Sequence, residues 1–456
     1  MVRCGRRWKL AVCPVLLTVC ALYVLQIVLL HSGTQTAPRS LGLGHNFWKE
    51  RGGSADSRRT FTLFDPFSRD YSDSVGLKGL QGFDCVAAIE GFPVSFDQKP
   101  SAPVVGLSEN TLTERTGDCQ SFRERHGYRR YRQPSEEEVR FPLAFNVLLY
   151  KDVEQLHVLL RAIYRPHNSY CLHVDGHAAP KMYESTRRLA SCLPNVFLAS
   201  RRENITYAGF SRLQADINCM EDHWKSPVAW MYLINLPSQQ FPLKTNMELV
   251  KILTVYNGSN DIEGLVGDRM LKQRFTFKHV YLPDGATGRL KLERTKDKHE
   301  DPPHGIKVVK GSAYGVFSRG FVDFVLHDQR AKDLLNWCRP VSSPDEYYWA
   351  TLHHNPHLHV PGGYQGAPDK KPWLAVYASW IPRDPCHSGK TTRGICIFGA
   401  RDLPQLVARK ELFANKFYLD FQPQALHCLD QWLVNKSRAA LPFDTLYYRQ
   451  LPFVKK

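Results

Sequence analysis

From residue 141 onward, short runs of apolar residues alternate with segments whose apolar positions repeat at the spacing of a helix. Apolar runs of this length, bounded by polar residues, are typical of buried strands, and the periodic segments between them are typical of helices that pack one face on a sheet. The pattern predicts strands at residues 141–150, 169–175, 196–199 and 230–235, and helices near residues 153–163, 181–191 and 211–224.

Strands that alternate with helices indicate an α/β fold, with a mostly parallel central sheet and helices on both faces. Such sheets bind ligands at the carboxyl ends of their strands. Asp175 ends the second predicted strand and is therefore expected at that edge. Further along, Thr245 and Glu248 have the spacing of a capping box, which predicts a helix that runs to Tyr256.

The pattern is weaker after this helix. Residues 257–310 are charged and irregular, which predicts an inserted loop region over the ligand site. An apolar segment at residues 311–318 and two helices come next. Residues 343–347, with the sequence SPDEY, predict a helix start with a serine cap, a proline in the first turn and carboxylates near the positive end of the helix dipole.

The N-terminal part of the chain predicts a membrane anchor. Residues 10–30 contain no charged side chain, and four basic residues precede them. About 20 such residues span a bilayer, and short basic flanks stay cytoplasmic. A cleaved signal peptide is the alternative, although its apolar core is shorter. The predicted parts are a cytoplasmic tail (1–9), a transmembrane signal anchor (10–30), a stem (31–80), the N-terminal part of a lumenal domain (81–140), the catalytic domain (141–436) and a C-terminal tail (437–456).

The cysteines and glycosylation motifs agree with a lumenal domain. Of 12 cysteines, nine follow the apolar segment, and none of them has CxxC spacing, which argues against a zinc ribbon. In an oxidising lumen disulfides are the default, and an odd number leaves one thiol free. Asn204, Asn257 and Asn435 each begin an Asn-x-Ser/Thr motif for N-glycosylation.

The chain carries a formal net charge of +16. Its basic residues are dispersed along the chain, and a lumenal protein meets little nucleic acid. Both observations argue against a nucleic-acid partner. Binding of an anionic nucleotide or of anionic glycans uses this charge better, and a generally cationic surface is the plain alternative.

Sugar transfer from a nucleotide requires a base for the acceptor hydroxyl, a counter-charge for the diphosphate and a pocket for the nucleoside. The chain has no Asp-x-Asp motif of the kind that binds a metal under the diphosphate. An enzyme without this metal must stabilise the diphosphate with Lys or Arg.

Seven stretches between Phe141 and Phe417 resemble the core 2-type β-1,6-N-acetylglucosaminyltransferases, with weaker matches around Cys85 and Cys119. The resemblance implies an inverting, metal-independent enzyme with a variant GT-A fold, which transfers N-acetylglucosamine from UDP-N-acetylglucosamine to mucin-type O-glycans at the Golgi membrane. The matching stretches are FPLAFNVLLY, LLRAIYRPHNSYCLHVD, SRLQADINCM, YLINLPSQQFPLKTN, KGSAYGVFSR, SPDEYYWATL and ICIFGARDL…LFANKF.

Residue by residue, the resemblance makes Glu346 the catalytic base. A carboxylate is suited to take the proton of a sugar hydroxyl, although an Asp-Glu pair at a helix start also caps the dipole. Arg393 and Lys416 match the family residues that hold the diphosphate. The alternative is that each is an ordinary solvated cation on the surface. The resemblance places the remaining donor residues at Leu148, Leu149, Tyr150, Asp175, Gly176, His177 and Tyr207, and the acceptor residues at Glu263, Arg274 and Trp380.

The resemblance also implies four disulfides, and it weakens at the acceptor site. Leu271 stands where the family has a lysine, and Pro382 stands where it has an aromatic residue two positions after Trp380. Cys338 is left as the odd thiol. The implied pairs are Cys85–Cys428, Cys119–Cys192, Cys171–Cys219 and Cys386–Cys396.

Four histidines, at positions 353, 354, 357 and 359, are close in sequence and could suggest a metal site. Asn355-Pro356 interrupts any helical face they would share, so a solvated loop is the expectation. Two further functions stay open: a relative with another donor, such as a xylosyltransferase, and a lumenal glycan-binding protein without turnover.

Overall fold

The computed structural model describes residues 83–94 and 116–454. The predicted tail, anchor and stem lie outside these residues. Within the described ranges, no helix combines the length and the hydropathy that crossing a bilayer requires.

A five-stranded sheet forms the centre of the fold, in the order β3-β2-β1-β4-β8. β1 pairs in parallel with β2 and β4, and β2 with β3, whereas the short β8 is antiparallel to β4. The predicted α/β fold with a mostly parallel sheet is confirmed. The strands within the described residues are β1 (Leu143–Leu149), β2 (Ser169–Val174), β3 (Val196–Leu198), β4 (Tyr232–Pro237), β5 (Gln240–Pro242), β6 (Phe277–Pro283), β7 (Leu290–Lys298), β8 (Val316–Ser318), β9 (Val376–Tyr377), β10 (Thr391–Thr392), β11 (Ile395–Cys396) and β12 (Phe413–Asn415).

Helices cover both faces of this sheet. Phe145 and Val147 of β1 pack in one core cluster with α4 and α7, and Ala144 packs in a second cluster with α6 and α9. This alternation follows from the pleat of a strand. The helices are α1 (Cys85–Glu90), α2 (Cys119–Arg125), α3 (Glu136–Arg140), α4 (Val153–Ile163), α5 (Pro180–Ser191), α6 (Phe210–Lys225), α7 (Asn246–Tyr256), α8 (Gln273–Thr276), α9 (Arg319–His327), α10 (Gln329–Trp337), α11 (Tyr348–His353), α12 (Leu403–Val407), α13 (Gln424–Ala439) and α14 (Leu446–Arg449).

A smaller sheet, β5-β12-β9, lies beside the central one and carries residues of the site. β12 is antiparallel to β5 and parallel to β9. A third core cluster joins this sheet to α1, α12 and α13. The four disulfides that the resemblance implies are present, and Cys338 is a buried free thiol whose pKa burial raises.

Three expectations for single segments differ from the structure. Residues 257–310 are not irregular throughout, because β6 and β7 form an antiparallel hairpin around a turn at residues 284–289. Most of this hairpin is exposed on both faces, so its charged side chains hide the alternation of a strand. The predicted C-terminal tail is packed into the fold, where Tyr448 and Phe453 are buried.

The predicted serine cap at Ser343 is wrong, whereas the capping box of Thr245 and Glu248 is present at α7. Ser343 has φ 54° and makes no side-chain cap, because the segment after it is a single 3-10 turn, Pro344–Glu346. The backbone amide of Glu346 closes this turn on the Ser343 carbonyl at 2.9 Å.

Candidate active site

The predicted donor residues lie at the carboxyl ends of β1 and β2. Leu148 and Leu149 are buried at the end of β1, and Tyr150 follows them with an exposed ring. The Tyr150 hydroxyl accepts a hydrogen bond from the Gln239 side chain at 3.1 Å. The strand end therefore presents one aromatic ring to solvent where open α/β sheets bind their ligands.

The end of β2 contacts the loop that follows β3. Asp175 accepts hydrogen bonds from the backbone amides of His177 (2.9 Å) and Ile205 (3.1 Å). The Gly176 amide donates to the Glu203 carbonyl at 2.8 Å. A Cβ added at Gly176 would lie 1.9 Å from Asn204 Oδ1, so only glycine permits this approach of the two loops.

Three cations, Lys416, Arg393 and Lys151, lie near one another on this side of the molecule. Lys416 follows β12 and is half-buried, and its pKa is lowered first by burial and then by the charges of Arg393 and Lys151. None of the three forms an ion pair with any residue of the described chain. Mutually repelling cations without a carboxylate partner favour a bound anion such as a diphosphate.

Arg393 owes its position to a tight turn. It joins β10 to β11 through a two-residue loop with Gly394, and both residues have positive φ, 52° and 78°. Such turns match the twist of a hairpin but strain any residue other than glycine, asparagine or aspartate. The Arg393 guanidinium lies 4.1 Å from the centre of the exposed Tyr207 ring.

Glu346 lies at the end of the 3-10 turn, with its carboxylate held by two cations. Its Oε2 atom is 2.8 Å from Arg274 Nη1 and 2.9 Å from Lys310 Nζ. The carboxylate is partly exposed, so an acceptor hydroxyl can reach it. Tyr347, the next residue, is buried and donates from its hydroxyl to the Met270 carbonyl at 2.7 Å.

The predicted acceptor residue Glu263 lies close to Glu346. Burial raises the pKa of the Glu263 carboxyl, while the charges of Lys310 and Arg269 lower it and the charge of Glu346 raises it further. Arg274 contacts Glu346 directly. The structure therefore brings Glu263 and Arg274 together with the expected base.

Trp380, the third predicted acceptor residue, lies beside the turn that carries Arg393. It forms a backbone bridge with Ile395, and its exposed ring is 3.9 Å from the position of a Cβ added at Gly394. The Arg383 charge of the same loop lowers the pKa of Glu263. The residues predicted to bind the acceptor and those predicted to bind the diphosphate are thus neighbours.

A backbone contact also connects the donor side to the base. Tyr207 stacks under Arg393, and the carbonyl of the following residue, Ala208, accepts from the Ser343 amide at 2.6 Å. The arrangement places an anion site, an exposed tryptophan and a cation-bound carboxylate around one region. These are the groups that transfer of a glycosyl residue from a nucleotide diphosphate needs.

The expectation of a solvated histidine loop is wrong for His353 and His354. Both are buried, since α11 extends to His353, and burial lowers the pKa of His354 to about 3. His354 packs behind the acceptor segment, with Nε2 2.4 Å from the position of a Cβ added at Gly264. Across residues 83–94 and 116–454, no cluster of three His, Cys, Asp or Glu side chains could hold a metal ion.

The family model for the Core-2/I-branching enzyme matches residues 143–407. This range contains every predicted donor, base and acceptor residue except Lys416. The chain belongs to the Core-2/I-branching enzyme family. The family expected from the sequence is therefore confirmed.

Curated members of the Core-2/I-branching family match most of the chain. A human N-acetyllactosaminide β-1,6-N-acetylglucosaminyltransferase is 38% identical, over 76% of this chain and 86% of the relative. A β-1,3-galactosyl-O-glycosyl-glycoprotein β-1,6-N-acetylglucosaminyltransferase 4 of Danio rerio is 36% identical, over 78% and 85%. The human β-1,3-galactosyl-O-glycosyl-glycoprotein enzyme is 37% identical, over 72% and 77%.

Three further charged residues belong to this site and are not among those predicted from the sequence: Lys310, Lys151 and Asp345. Lys310 begins the KGSAYGVFSR stretch and Asp345 stands within SPDEY, so both lay in segments already singled out. Lys151 directly follows the first predicted strand, and the rule that ligands bind at strand ends would have found it. Nothing in the sequence pattern shows that Lys310 reaches Glu346 across 36 residues of chain.

Proposed function

We propose that this protein is an inverting, metal-independent β-1,6-N-acetylglucosaminyltransferase of O-glycans, anchored in the Golgi membrane with its catalytic domain in the lumen. The observation that carries the reaction type is the Glu346 carboxylate, held by Arg274 and Lys310 beside Glu263. The donor is UDP-N-acetylglucosamine, and the acceptor class is taken from the names of the relatives.

The proposed step is a single displacement. The acceptor hydroxyl oxygen forms a bond to the anomeric carbon of N-acetylglucosamine, and the bond from that carbon to the diphosphate oxygen breaks. UDP leaves with the bonding electron pair, and Glu346 takes the hydroxyl proton. Attack opposite the leaving group converts an α-linked donor into a β-linked product.

The three cations support transfer without a metal. Arg393 and Lys416 match the positions that the resemblance gives to the diphosphate, and Lys151 adds a third positive charge. Charge that develops on departing UDP is stabilised by cations already in place. Burial lowers the pKa of Lys416 first, and the positive charges of Arg393 and Lys151 lower it further.

Two acceptor classes are considered, because the names of the relatives give different acceptors. Two act on β-1,3-galactosyl-O-glycosyl-glycoproteins and one on N-acetyllactosaminides. We place the O-glycan first, since Glu263, Arg274 and Trp380 are all present at the site. Leu271 and Pro382 are the positions where the acceptor contacts differ from those of the family.

The test measures UDP release and labelled product by the full-length protein in detergent. Donors are UDP-N-acetylglucosamine and UDP-xylose, and acceptors include galactose–N-acetylgalactosamine and N-acetyllactosamine, each with and without EDTA. We expect EDTA-resistant transfer of N-acetylglucosamine to galactose–N-acetylgalactosamine. Glu346→Gln should lower kcat about 100-fold or more, since it keeps the shape and removes the base.

Glu221→Gln is the matched control, because Glu221 pairs with Arg201 on the surface of α6. It should leave the rate unchanged. Transfer from UDP-xylose alone would replace the donor assignment. Folded protein that binds glycans without releasing UDP would replace the enzymatic proposal by the glycan-binding alternative.

A further inference from the structure

We propose that Lys310 is a positioning residue of the base, which together with Arg274 holds Glu346 Oε2 so that Oε1 faces the acceptor hydroxyl. The inference rests on the proposed function, in which Glu346 accepts the proton. It assigns a role to a residue that neither the sequence analysis nor the comparisons single out.

The geometry at the carboxylate carries the proposal. Lys310 Nζ and Arg274 Nη1 both contact the same oxygen, Oε2, at 2.9 and 2.8 Å. Two charge-assisted contacts to one oxygen restrict rotation of the carboxylate and leave the other oxygen outside both ion pairs. The Lys310 side chain is 14% exposed, against 33% for Arg274, so it is the less solvated of the two cations.

The backbone around Lys310 is tied to both acidic segments. Lys310 exchanges two backbone hydrogen bonds, of 2.7 and 3.2 Å, with Leu265, and Leu265 stands two residues after Glu263. The next amide, of Gly311, donates to the Glu346 carbonyl at 2.6 Å. The backbone of Lys310 is therefore fixed between the segments that carry Glu263 and Glu346. Its ammonium group is directed to Glu346 before any substrate binds.

The charges around the base show what Lys310 contributes. Glu263 and Asp345 are the nearby acids, and the pKa of each is raised first by burial and to a smaller extent by the Glu346 charge. Other cations also lie near these groups. The charge of Arg274 acts on Glu346 and on the adjoining Tyr347. The charges of Arg269 and Arg383 act on Glu263, and that of Arg212 acts on Asp345. Without Lys310, two carboxylates would face each other with less positive charge between them. Glu346 would then lose one of the two cations that anchor its carboxylate.

The test compares Lys310→Met, Lys310→Arg and Lys307→Met in the full-length protein. Lys307 is exposed three residues earlier, so its variant controls for the loss of a positive charge from the segment. We expect Lys310→Met to lower kcat about tenfold, with the KM for UDP-N-acetylglucosamine within twofold of that of the unmodified protein. Lys310→Arg should recover most of the lost kcat, and Lys307→Met should leave kcat and KM unchanged.

A second measurement does not depend on transfer. The carboxyl carbon of Glu346, observed by NMR with 13C-labelled glutamate and assigned by its loss in Glu346→Gln, should change its chemical shift in Lys310→Met and keep it in Lys307→Met. If the unmodified protein transfers no sugar, the proposed function fails, and this resonance still decides the role of Lys310. An unchanged kcat together with an unchanged carboxyl resonance in folded Lys310→Met overturns the proposal.

Discussion

At the scale of single residues, the site contains two adjacent acidic residues that differ in burial and in their contacts with cations. Glu346 is partly exposed and bound by two cations, whereas its neighbour Asp345 is buried. Burial raises the pKa of Asp345 to about 6, although the Arg212 charge opposes the shift. The two adjacent carboxyls thus differ in their access to solvent, which leaves Glu346 as the one that an acceptor hydroxyl can reach.

Asp345→Asn should change how stability depends on pH. A carboxyl whose pKa rises on folding favours the folded state while protonated, and this contribution is lost as pH rises through about 6. The loss is on the order of 3 kcal/mol for a shift of this size. Asparagine is neutral at every pH, so the unfolding free energy of the variant should fall less between pH 4 and 7. Denaturant titrations at several pH values measure this.

Asp297→Asn, on the exposed hairpin, is the control for that experiment, and its curve should follow that of the unmodified protein. If Asp345→Asn gives a curve parallel to that of the unmodified protein, the carboxyl is not protonated on folding. Activity is a poor readout here because Asp345 adjoins the base.

The site residues that stand in contiguous motifs could be predicted from the sequence most directly. Glu346 lies in SPDEY, and Lys416 lies in the last matching stretch, which begins two residues after Arg393. Lys310 could not be predicted, since its contact with Glu346 depends on how the backbone near Leu265 meets residues 310 and 311. The loss of lysine at Leu271 suggested a weakened acceptor site, yet Glu346 still has two cations beside it.

At the scale of elements, most of the longer buried strands and helices between residues 141 and 256 could be predicted, whereas the short buried strands β5, β9 and β12 and the exposed hairpin could not. β1 is buried along its whole length and gives an apolar run that only Asn146 interrupts. β6 and β7 are largely exposed, so their sequence resembles a charged loop. The turn at Ser343 was misjudged because sequence gives residue preferences for a cap, while the tertiary bond from Ser343 to Ala208 sets its actual φ.

Gly311→Ala tests whether the acceptor segment and the base segment must approach this closely. A Cβ at residue 311 would lie 2.4 Å from the Glu263 carbonyl oxygen and 2.9 Å from Ala350 Cβ. Backbone oxygen cannot move aside as a side chain does, so we expect a loss of about 1–3 kcal/mol in unfolding free energy. We also expect a reduced kcat, because Glu263 and Glu346 would move apart.

The control for this variant is Gly285→Ala, in the hairpin turn, where no heavy atom lies within 4 Å of the added Cβ. Thermal unfolding and kcat, measured for both variants, separate the two sites. Equal behaviour of the two alanine variants would show that the contact between residues 263 and 311 is dispensable.

At the scale of the whole molecule, two disulfides close loops of very different length, and we expect them to affect different properties of the protein. Cys85–Cys428 joins residues 343 positions apart and connects α1 to α13. Cys386–Cys396 closes a loop of only 10 positions, which contains Arg393. A long closed loop restricts the unfolded chain more than a short one, by a margin that grows slowly with length.

Replacing both cysteines of each pair by serine should therefore separate stability from donor binding. Loss of Cys85–Cys428 should lower the unfolding free energy by about 2–5 kcal/mol with little change in the KM for UDP-N-acetylglucosamine. Loss of Cys386–Cys396 should cost less stability but raise that KM several-fold, because the strained Arg393 turn loses its closure. Denaturant unfolding and donor kinetics measure the two effects. An unchanged donor KM in the Cys386–Cys396 variant would remove Arg393 from the proposed diphosphate site.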